Sequence, residues 1–241
     1  MTQVAAGVHL VVGRAVNWVV LVEGRDAVLI DAGYPRDADD VEVSLAEAGV
    51  RLEQLVAVLV THAHVDHIGG LPELLRRRPV PVLTSPREAA HARREFVEQV
   101  SPVTVAANLW RPRVLPWSAT AVRRGGTRHV RVPEASDLEP GVPLDLPGRP
   151  VPIVVPGHTS GHTCFHLPDV GVVVSGDALV TGHPTSADDG PQLLPAFFHQ
   201  DPAEARASLD RLASLAAEVT LPGHGPVHLG PIAQAVERAR R

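Results

Sequence analysis

The chain places four metal-binding side chains within six residues, at His62, His64, Asp66 and His67. Neutral imidazoles and a carboxylate are nitrogen and oxygen ligands that suit a borderline cation such as Zn²⁺. Such a density of ligands is unusual for a solvated loop without a function. The segment therefore predicts a metal centre.

An apolar run, Leu55–Val60, leads directly into this segment. Its composition predicts a strand that is buried on both faces. Alternate residues of an extended segment point the same way, so His62 and His64 should share a side, with Asp66 and His67 at the following turn. Four ligands from so short a loop cannot easily surround a single ion. Two adjacent ions can share these ligands if each is completed by ligands from elsewhere in the chain.

Candidate ligands also follow three further apolar runs. Each lies beside glycine, where the backbone can turn sharply and approach an ion closely. Ligands at strand ends converge on one edge of a sheet, so the repeated pattern supports a shared site. The candidates are His158 after Val151–Val155, Asp177 after Val170–Val174, and His224 after Val219–Leu221.

Together these motifs resemble the metallo-β-lactamase fold superfamily of hydrolases. The resemblance runs from about Val8 to about Val227. It includes the run from Leu29 to Gly33, whose Asp31 is similar to the family's strand-ending aspartate that supports the metal loop. The set of motifs is specific for the fold and the metal site, and much less so for the substrate.

The resemblance implies two divalent ions, with Zn²⁺ preferred and Fe or Mn as alternatives. Asp177 would bridge them, as in the glyoxalase II and lactonase branches. Asp66 would bind one ion and also orient the attacking hydroxide as the catalytic residue. Ligand imidazoles are expected to be supported by Asp31 and by Thr61 or Thr159. The implied ligands are His62, His64 and His158 for one ion, and Asp66, His67 and His224 for the other.

The implied reaction is hydrolysis of an ester, thioester or lactone by a metal-bridging hydroxide, as in thioesterases and lactonases. β-Lactam hydrolysis, as a main or a weak activity, is an alternative. A non-hydrolytic member of the fold, such as an iron-dependent persulfide oxygenase or a polyketide cyclase, is a further candidate. Only one short helix is expected after His224, whereas glyoxalase II carries a helical substrate domain there, which disfavours glutathione thioesters.

Three side chains are candidate substrate contacts, namely Tyr34, Trp110 and His183. Segment 102–148 is rich in proline, arginine and glycine and lacks sustained periodicity. We expect it to form a lid or insertion over the active site within a single domain of residues 1–241. The one cysteine, Cys164, lies in an apolar stretch and is interpreted as a small buried hydrophobe.

Composition narrows the class of protein. The 241 residues are 44% hydrophobic and 20% charged, which is ordinary for a soluble globular protein. A net charge of −5 and the lack of a basic patch argue against nucleic acid as a partner. No signal peptide or membrane span is recognisable, which predicts a cytoplasmic enzyme of a small-molecule acyl substrate, with no membrane partner. The oligomeric state stays open, with a homodimer as one alternative.

Runs of predicted strands alternate twice with predicted helices along the chain. That order predicts the α/β class, as a four-layer αββα sandwich of two mixed β-sheets flanked by helices. The predicted strands are 8–12, 16–22, 27–30, 55–60, 80–84, 151–155, 163–167, 171–175, 179–180 and 219–221, and the predicted helices are 38–48, 70–78, 86–100, 203–217 and 231–241.

Overall fold

The first of two β-sheets has seven strands that lie side by side in sequence order. In this computed structural model, which describes residues 1–241, its first four strands pair antiparallel and its later strands pair parallel. The strands are β1 (Thr2–Ala5), β2 (Val8–Val12), β3 (Asn17–Glu23), β4 (Asp26–Ile30), β5 (Leu55–Leu59), β6 (Val82–Thr84) and β7 (Ala135–Asp137).

The second sheet has five strands. Its third and fourth strands in sequence pair parallel, and its other pairs are antiparallel. They are β8 (Val151–Val154), β9 (Thr163–Leu167), β10 (Val172–Gly176), β11 (Val219–Pro222) and β12 (His228–Leu229), and their order across the sheet is β12-β11-β10-β9-β8.

Helices cover the outer faces of both sheets. None of them has the length and hydrophobicity that a membrane span requires. Short 3₁₀ turns lie at 52–54, 168–170 and 196–198. The helices are α1 (Ala38–Glu47), α2 (Val65–Ile68), α3 (Leu71–Arg77), α4 (Pro86–Ala92), α5 (Pro102–Ala107), α6 (Val114–Arg124), α7 (Pro202–Ser208), α8 (Asp210–Ala213) and α9 (Ile232–Ala239).

The hydrophobic core divides into layers because side chains alternate along each strand. In β4, Val28 and Ile30 pack between the two sheets, where they meet Phe165 of β9. Leu29 faces the other way, toward the helices outside the first sheet. A third cluster packs Val173 of β10 against the helices outside the second sheet. The predicted four-layer αββα sandwich is therefore confirmed.

Two predicted helices are shorter than expected. The helix predicted at 86–100 ends at Ala92, and Arg94 shortly beyond it has a left-handed backbone, with φ of 58°. The helix predicted at 203–217 is broken at Leu209 into α7 and α8.

Strand predictions were wrong mainly at the edges and in the loops. The strand predicted at 179–180 is reduced to a single bridge between Val180 and Gln192. The short edge strands β1 and β12 lack a recognisable apolar run, and their sequences did not predict them. Segment 102–148, predicted to be irregular, contains α5, α6 and β7.

Candidate metal centre

The candidate ligands lie at the ends of strands from both sheets. The loop after β5 carries His62 and His64 and runs into α2, which holds Asp66 and His67. The other three candidates approach from the second sheet. Asp177 directly follows β10, His224 comes after β11 and Gly223, and His158 lies in the loop after β8. Three groups result, within each of which the ligand atoms lie within 4.8 Å of one another: His62, His64 and His158; His62, His67 and Asp177; and Asp66, His67 and His224.

Each ligand imidazole uses one ring nitrogen to bind the surrounding protein. That partner accepts the ring N–H, so the lone pair of the other nitrogen is left facing the cluster. Hydrogen bonds on their outer side therefore orient the five candidate imidazoles toward the centre of the cluster. The outer contacts are His62 Nδ1 to Thr61 Oγ1 (3.1 Å), His64 Nε2 to the Glu98 carbonyl (2.6 Å), His67 Nδ1 to Asp31 Oδ2 (2.7 Å), His158 Nδ1 to His199 Nδ1 (3.4 Å) and His224 Nδ1 to the Ala15 carbonyl (2.9 Å).

Asp177 lies at the centre of the cluster. Its Oδ2 is 3.6 Å from His158 Nε2 and 3.3 Å from His224 Nε2, and its Oδ1 is 3.5 Å from His67 Nε2. Its backbone N–H donates to His162 Nε2 at 3.0 Å. His162, which no motif placed among the ligands, is thus a buried support beneath the central carboxylate.

Three buried polar atoms of this cluster have no hydrogen-bond partner, namely His62 Nε2, His67 Nε2 and Asp177 Oδ1. Leaving such atoms unpaired costs free energy, so native structures rarely tolerate several in one place. All three atoms can donate an electron pair to a cation. The residues therefore fit a divalent metal centre.

Asp31 ties the metal loop to the end of β4. Its Oδ1 accepts the Thr61 N–H at 2.8 Å, and its Oδ2 accepts the Thr61 hydroxyl at 2.7 Å as well as the His67 ring. The backbone of Asp31 is left-handed, with φ of 64°, a conformation that costs energy for a residue with a Cβ. The support expected from Asp31 and Thr61 is confirmed.

Glu88 of α4 is a second buried carboxylate beside the site, and no motif pointed to it. It accepts the Ala63 N–H at 2.8 Å, between two ligand histidines, and the Thr159 hydroxyl at 2.5 Å, next to His158. His91 binds it from the same helix at 3.0 Å. Thr159 thus supports the site through Glu88 rather than through an imidazole. Ser85-x-x-Glu88 has only the spacing of a helix start, so the sequence alone offers no signal for this role.

The carboxylates and the imidazoles shift each other's pKa values. Burial alone would lower the pKa values of both His67 and His224. Asp31 and Asp177 instead raise the pKa of His67 well above its usual value, and Asp177 and Asp66 raise the pKa of His224 to about 9. Burial lowers the pKa of His64 to about 4. The negative charge therefore attracts positive charge to the Asp177 side of the cluster, where a metal cation can take the place of the ring protons.

Gly223 shows how closely the backbone approaches the cluster. A Cβ at this position would lie 2.2 Å from Asp177 Oδ1 and 2.9 Å from His67 Cε1. Only glycine fits there, which explains the glycine that precedes His224.

The candidate substrate contacts occupy different places. Tyr34 is buried near the metal loop, and burial, Asp66 and Asp177 raise its pKa well above the usual value. The His183 ring lies 4.8 Å from the His224 ring. Trp110 is 78% exposed, whereas the Trp117 ring lies 5.8 Å from His183. The substrate roles of Tyr34, Trp110 and His183 stay predictions, and its position makes Trp117 a further candidate.

Comparison with known proteins gives a consistent result. Residues 11–224 match the sequence model of the Metallo-beta-lactamase superfamily. The probable metallo-hydrolase YflN of Bacillus subtilis (strain 168) is 30% identical over 92% of this chain and 85% of its own length. A hydroxyacylglutathione hydrolase of Alkalilimnicola ehrlichii is 31% identical over 83% of this chain, which spans 57% of that relative. A crystal structure of a metallo-beta-lactamase family protein from Thermus thermophilus aligns with a TM-score of 0.69 at 25% identity, over 98% of this chain and 78% of that one.

Replacing Asp177 by alanine tests its central position. The change removes the carboxylate that lies within 3.6 Å of imidazoles from both sides of the cluster. We expect Asp177→Ala to lose metal content and activity while its circular dichroism stays native. The matched control is Asp137→Ala, at an exposed strand end, which should retain both. Full metal content in Asp177→Ala would contradict the assigned centre.

Replacing Glu88 by glutamine tests the second buried carboxylate. The variant keeps the shape but loses charge-assisted hydrogen bonds, and we expect a loss of about 2–4 kcal/mol in the free energy of unfolding. Burial opposes ionisation of Glu88, yet His91, Thr159 and Ala63 lower its pKa below the usual 4.5. The stabilisation that ionised Glu88 provides should therefore be complete above the usual pKa of 4.5. It should decline as the pH falls through the lowered pKa of Glu88 in the folded protein. Urea titrations of the wild type and Glu88→Gln at pH 7 and at about pH 3.5 measure this difference. The difference in the free energy of unfolding should be smaller at the lower pH, and an equal difference at both pH values would contradict this role.

Proposed function

The chain belongs to the metallo-β-lactamase superfamily, and we propose that it is a dinuclear metal-dependent hydrolase of ester, thioester or lactone bonds. The observation that carries the proposal is the convergence of five imidazoles and two carboxylates whose inward atoms include three that are buried and unpartnered. An acyl bond suits such a centre because its cleavage needs a strong nucleophile and a stabilised oxyanion.

Two ions fit this arrangement better than one. One group of ligands consists of His62, His64 and His158, and another, which shares no residue with it, is Asp66, His67 and His224. Asp177 Oδ2 lies between them, within 3.6 Å of one imidazole from each group. A carboxylate in that position is suited to bridge two cations. Zn²⁺ is the cation we favour for a set of imidazole and carboxylate ligands.

Two bound cations would lower the pKa of a shared water toward about 7 and polarise the substrate carbonyl. The chain's own groups add to this. The Asp66 side chain is 17% exposed, more than Asp177 or the His224 side chain beside it. Burial raises its pKa, but the hydrogen bond from His224 and the charge of His67 lower it to about 2. Asp66 is therefore ionised at neutral pH and can hold the proton of an attacking water.

His183 is suited to bind the substrate carbonyl. Its Nδ1 accepts the Thr185 N–H at 3.2 Å and the Thr185 hydroxyl at 2.7 Å, which leaves Nε2–H as a donor without a partner in the protein. Burial and the neighbouring His224 lower its pKa to about 3, so the ring is neutral. Trp117 and Phe198 pack against it and provide an apolar wall beside the metal ligands.

A cavity of about 220 Å³ opens beside His183 and His224 and is lined on its other side by Arg14, Val16 and Asn17 at the β2–β3 turn. It is large enough for a short acyl chain. The relative named hydroxyacylglutathione hydrolase supports a thioester as one substrate class, although the chain spans only 57% of that protein.

Metal analysis of purified protein, beside turnover of thioester, lactone, aryl ester and β-lactam substrates, tests the proposed function. We expect roughly two ions per chain and cleavage of one acyl class, with loss of activity on chelation and recovery with Zn²⁺. The metal-depleted protein is the matched control. About one iron per chain without hydrolysis of any substrate would contradict the proposal and indicate redox chemistry instead.

The two tryptophans of segment 102–148 can be separated by kinetics. Trp117 contacts His183 and Phe198, so Trp117→Ala should raise KM about 3–10-fold and change kcat less. The matched variant is Trp110→Ala, which removes an equal side chain that is 78% exposed. If only Trp110→Ala raised KM, Trp110 would be the substrate contact and Trp117 an anchor.

A further inference from the structure

A second and larger cavity, of about 1090 Å³, lies beside the metal centre but does not include it. Its walls come from the loop 185–195, the turn that precedes α6, and helices α7 and α9. Five of its lining residues are arginines and two are aspartates, in a chain whose net charge is −5. The lining of this cavity is therefore positively charged, although the chain as a whole carries a net negative charge. The arginines are Arg111, Arg113, Arg206, Arg238 and Arg241.

Four of these guanidinium groups have no ionic partner. Arg111 only approaches aromatic rings, and Arg206 has no hydrogen-bond partner for its side chain. Arg113 donates to the Ser186 carbonyl at 2.5 Å, and Arg238 donates to a backbone carbonyl of the same loop. Carbonyl groups carry no net charge, so these contacts orient the guanidinium groups without neutralising them. Unpaired guanidinium groups that line one cavity give it a positive potential, which favours an anionic ligand.

The arginines are also held in place by the backbone. Arg113 has a left-handed conformation, with φ of 73°, which is costly for a residue with a Cβ. Such strain is more frequent at ligand sites than elsewhere. Gly190 lies directly under the Arg238 guanidinium, and a Cβ there would come within 2.6–2.7 Å of it. The loop thus leaves room for this guanidinium at the cavity wall.

We propose that this cavity binds the phosphate groups of a nucleotide-sized ligand. The planar fork of arginine matches phosphate oxygens with paired hydrogen bonds, and several forks around one space favour a ligand with more than one phosphate. The volume is of the size that holds a complete cofactor or nucleotide. Of the five arginines only Arg241 forms an ion pair, with Glu237, and none pairs with the carboxylates of Asp188 and Asp189. The positive charge of the other four stays available.

The cavity and the metal centre share one element. Thr185 lines the cavity and also holds His183, whose ring lies 4.8 Å from the His224 ring. A phosphate-bearing ligand can therefore come from two sources. It is either the carrier arm of an acyl thioester whose acyl group reaches the metal centre, an assignment that rests on the proposed function, or a separate nucleotide that binds without being cleaved.

Calorimetric titration with adenosine 3′,5′-bisphosphate tests the site. The double variant Arg111→Ala/Arg206→Glu removes two arginines that have no polar partner, so its fold should be preserved. We expect the bisphosphate to bind the wild-type protein and its Kd to rise at least about tenfold in the double variant. The matched control is Arg25→Glu, an exposed arginine at the β3–β4 turn, which should bind like the wild type. Asp177→Ala should also retain binding, which places the ligand outside the metal centre.

Three results would overturn the proposal: no saturable binding to the wild-type protein, equal binding to the double variant, or equal binding of adenosine without phosphates. Kinetics then assigns the source of the phosphate. If it belongs to the substrate, the double variant should raise KM for an acyl-coenzyme A but not for the same acyl group on N-acetylcysteamine. If the ligand is separate, both KM values should stay unchanged while bisphosphate binding is lost. Because binding does not require turnover, failure of the hydrolase proposal would leave this result intact.

Discussion

Burial of Asp31 and Asp177 among histidine rings is the constraint on which the site depends. Removing carboxylates from water is costly unless each receives compensating charge or hydrogen bonds. Asp31 is compensated by Thr61 and His67. Asp177 is compensated only in part. Burial opposes its ionisation, the charges of His224 and His67 lower its pKa, and its Oδ1 has no hydrogen-bond partner. A divalent cation is the compensation that this geometry accommodates, so stability and metal binding should be linked.

The surrounding fold fixes the orientation of each histidine ring through a hydrogen bond on the side that faces away from the cluster. His64 and His224 donate to the backbone carbonyls of Glu98 and Ala15, which belong to parts of the chain far from either ring in sequence. Glu88 holds the two ligand loops to each other through Ala63 and Thr159. The ligand atoms are therefore positioned by the whole sandwich, and a change in one ligand loop should shift the ligand atoms of the others.

How much of the site could be predicted from the sequence depends on the range of each interaction. The strand-then-ligand pattern predicted which side chains the fold brings together, because strand ends are determined by local apolar runs and adjacent glycines. The role of Asp31 came from a family motif. The role of Glu88 was missed because Thr159 lies 71 positions from it, and no local pattern encodes such a contact.

Trp110 and Trp117 show the same limit in the segment that was predicted to be irregular. Both belong to a stretch of biased composition, yet one is largely exposed and the other packs beside His183. The difference arises from the packing of α6, which local sequence does not determine.

The loop that follows Asp177 connects the chemistry to its surroundings. It starts at the central carboxylate, passes His183 beside the ligands, and continues through Thr185 into the wall of the arginine-lined cavity. The hydrogen bonds between Thr185 and His183 fix which ring nitrogen carries the proton on the substrate side. A ligand bound in the cavity would therefore influence the orientation of His183 through Thr185. A ligand that orders this loop would at the same time order the donor for the substrate carbonyl, so phosphate recognition and positioning of the acyl group belong to a single element of the fold.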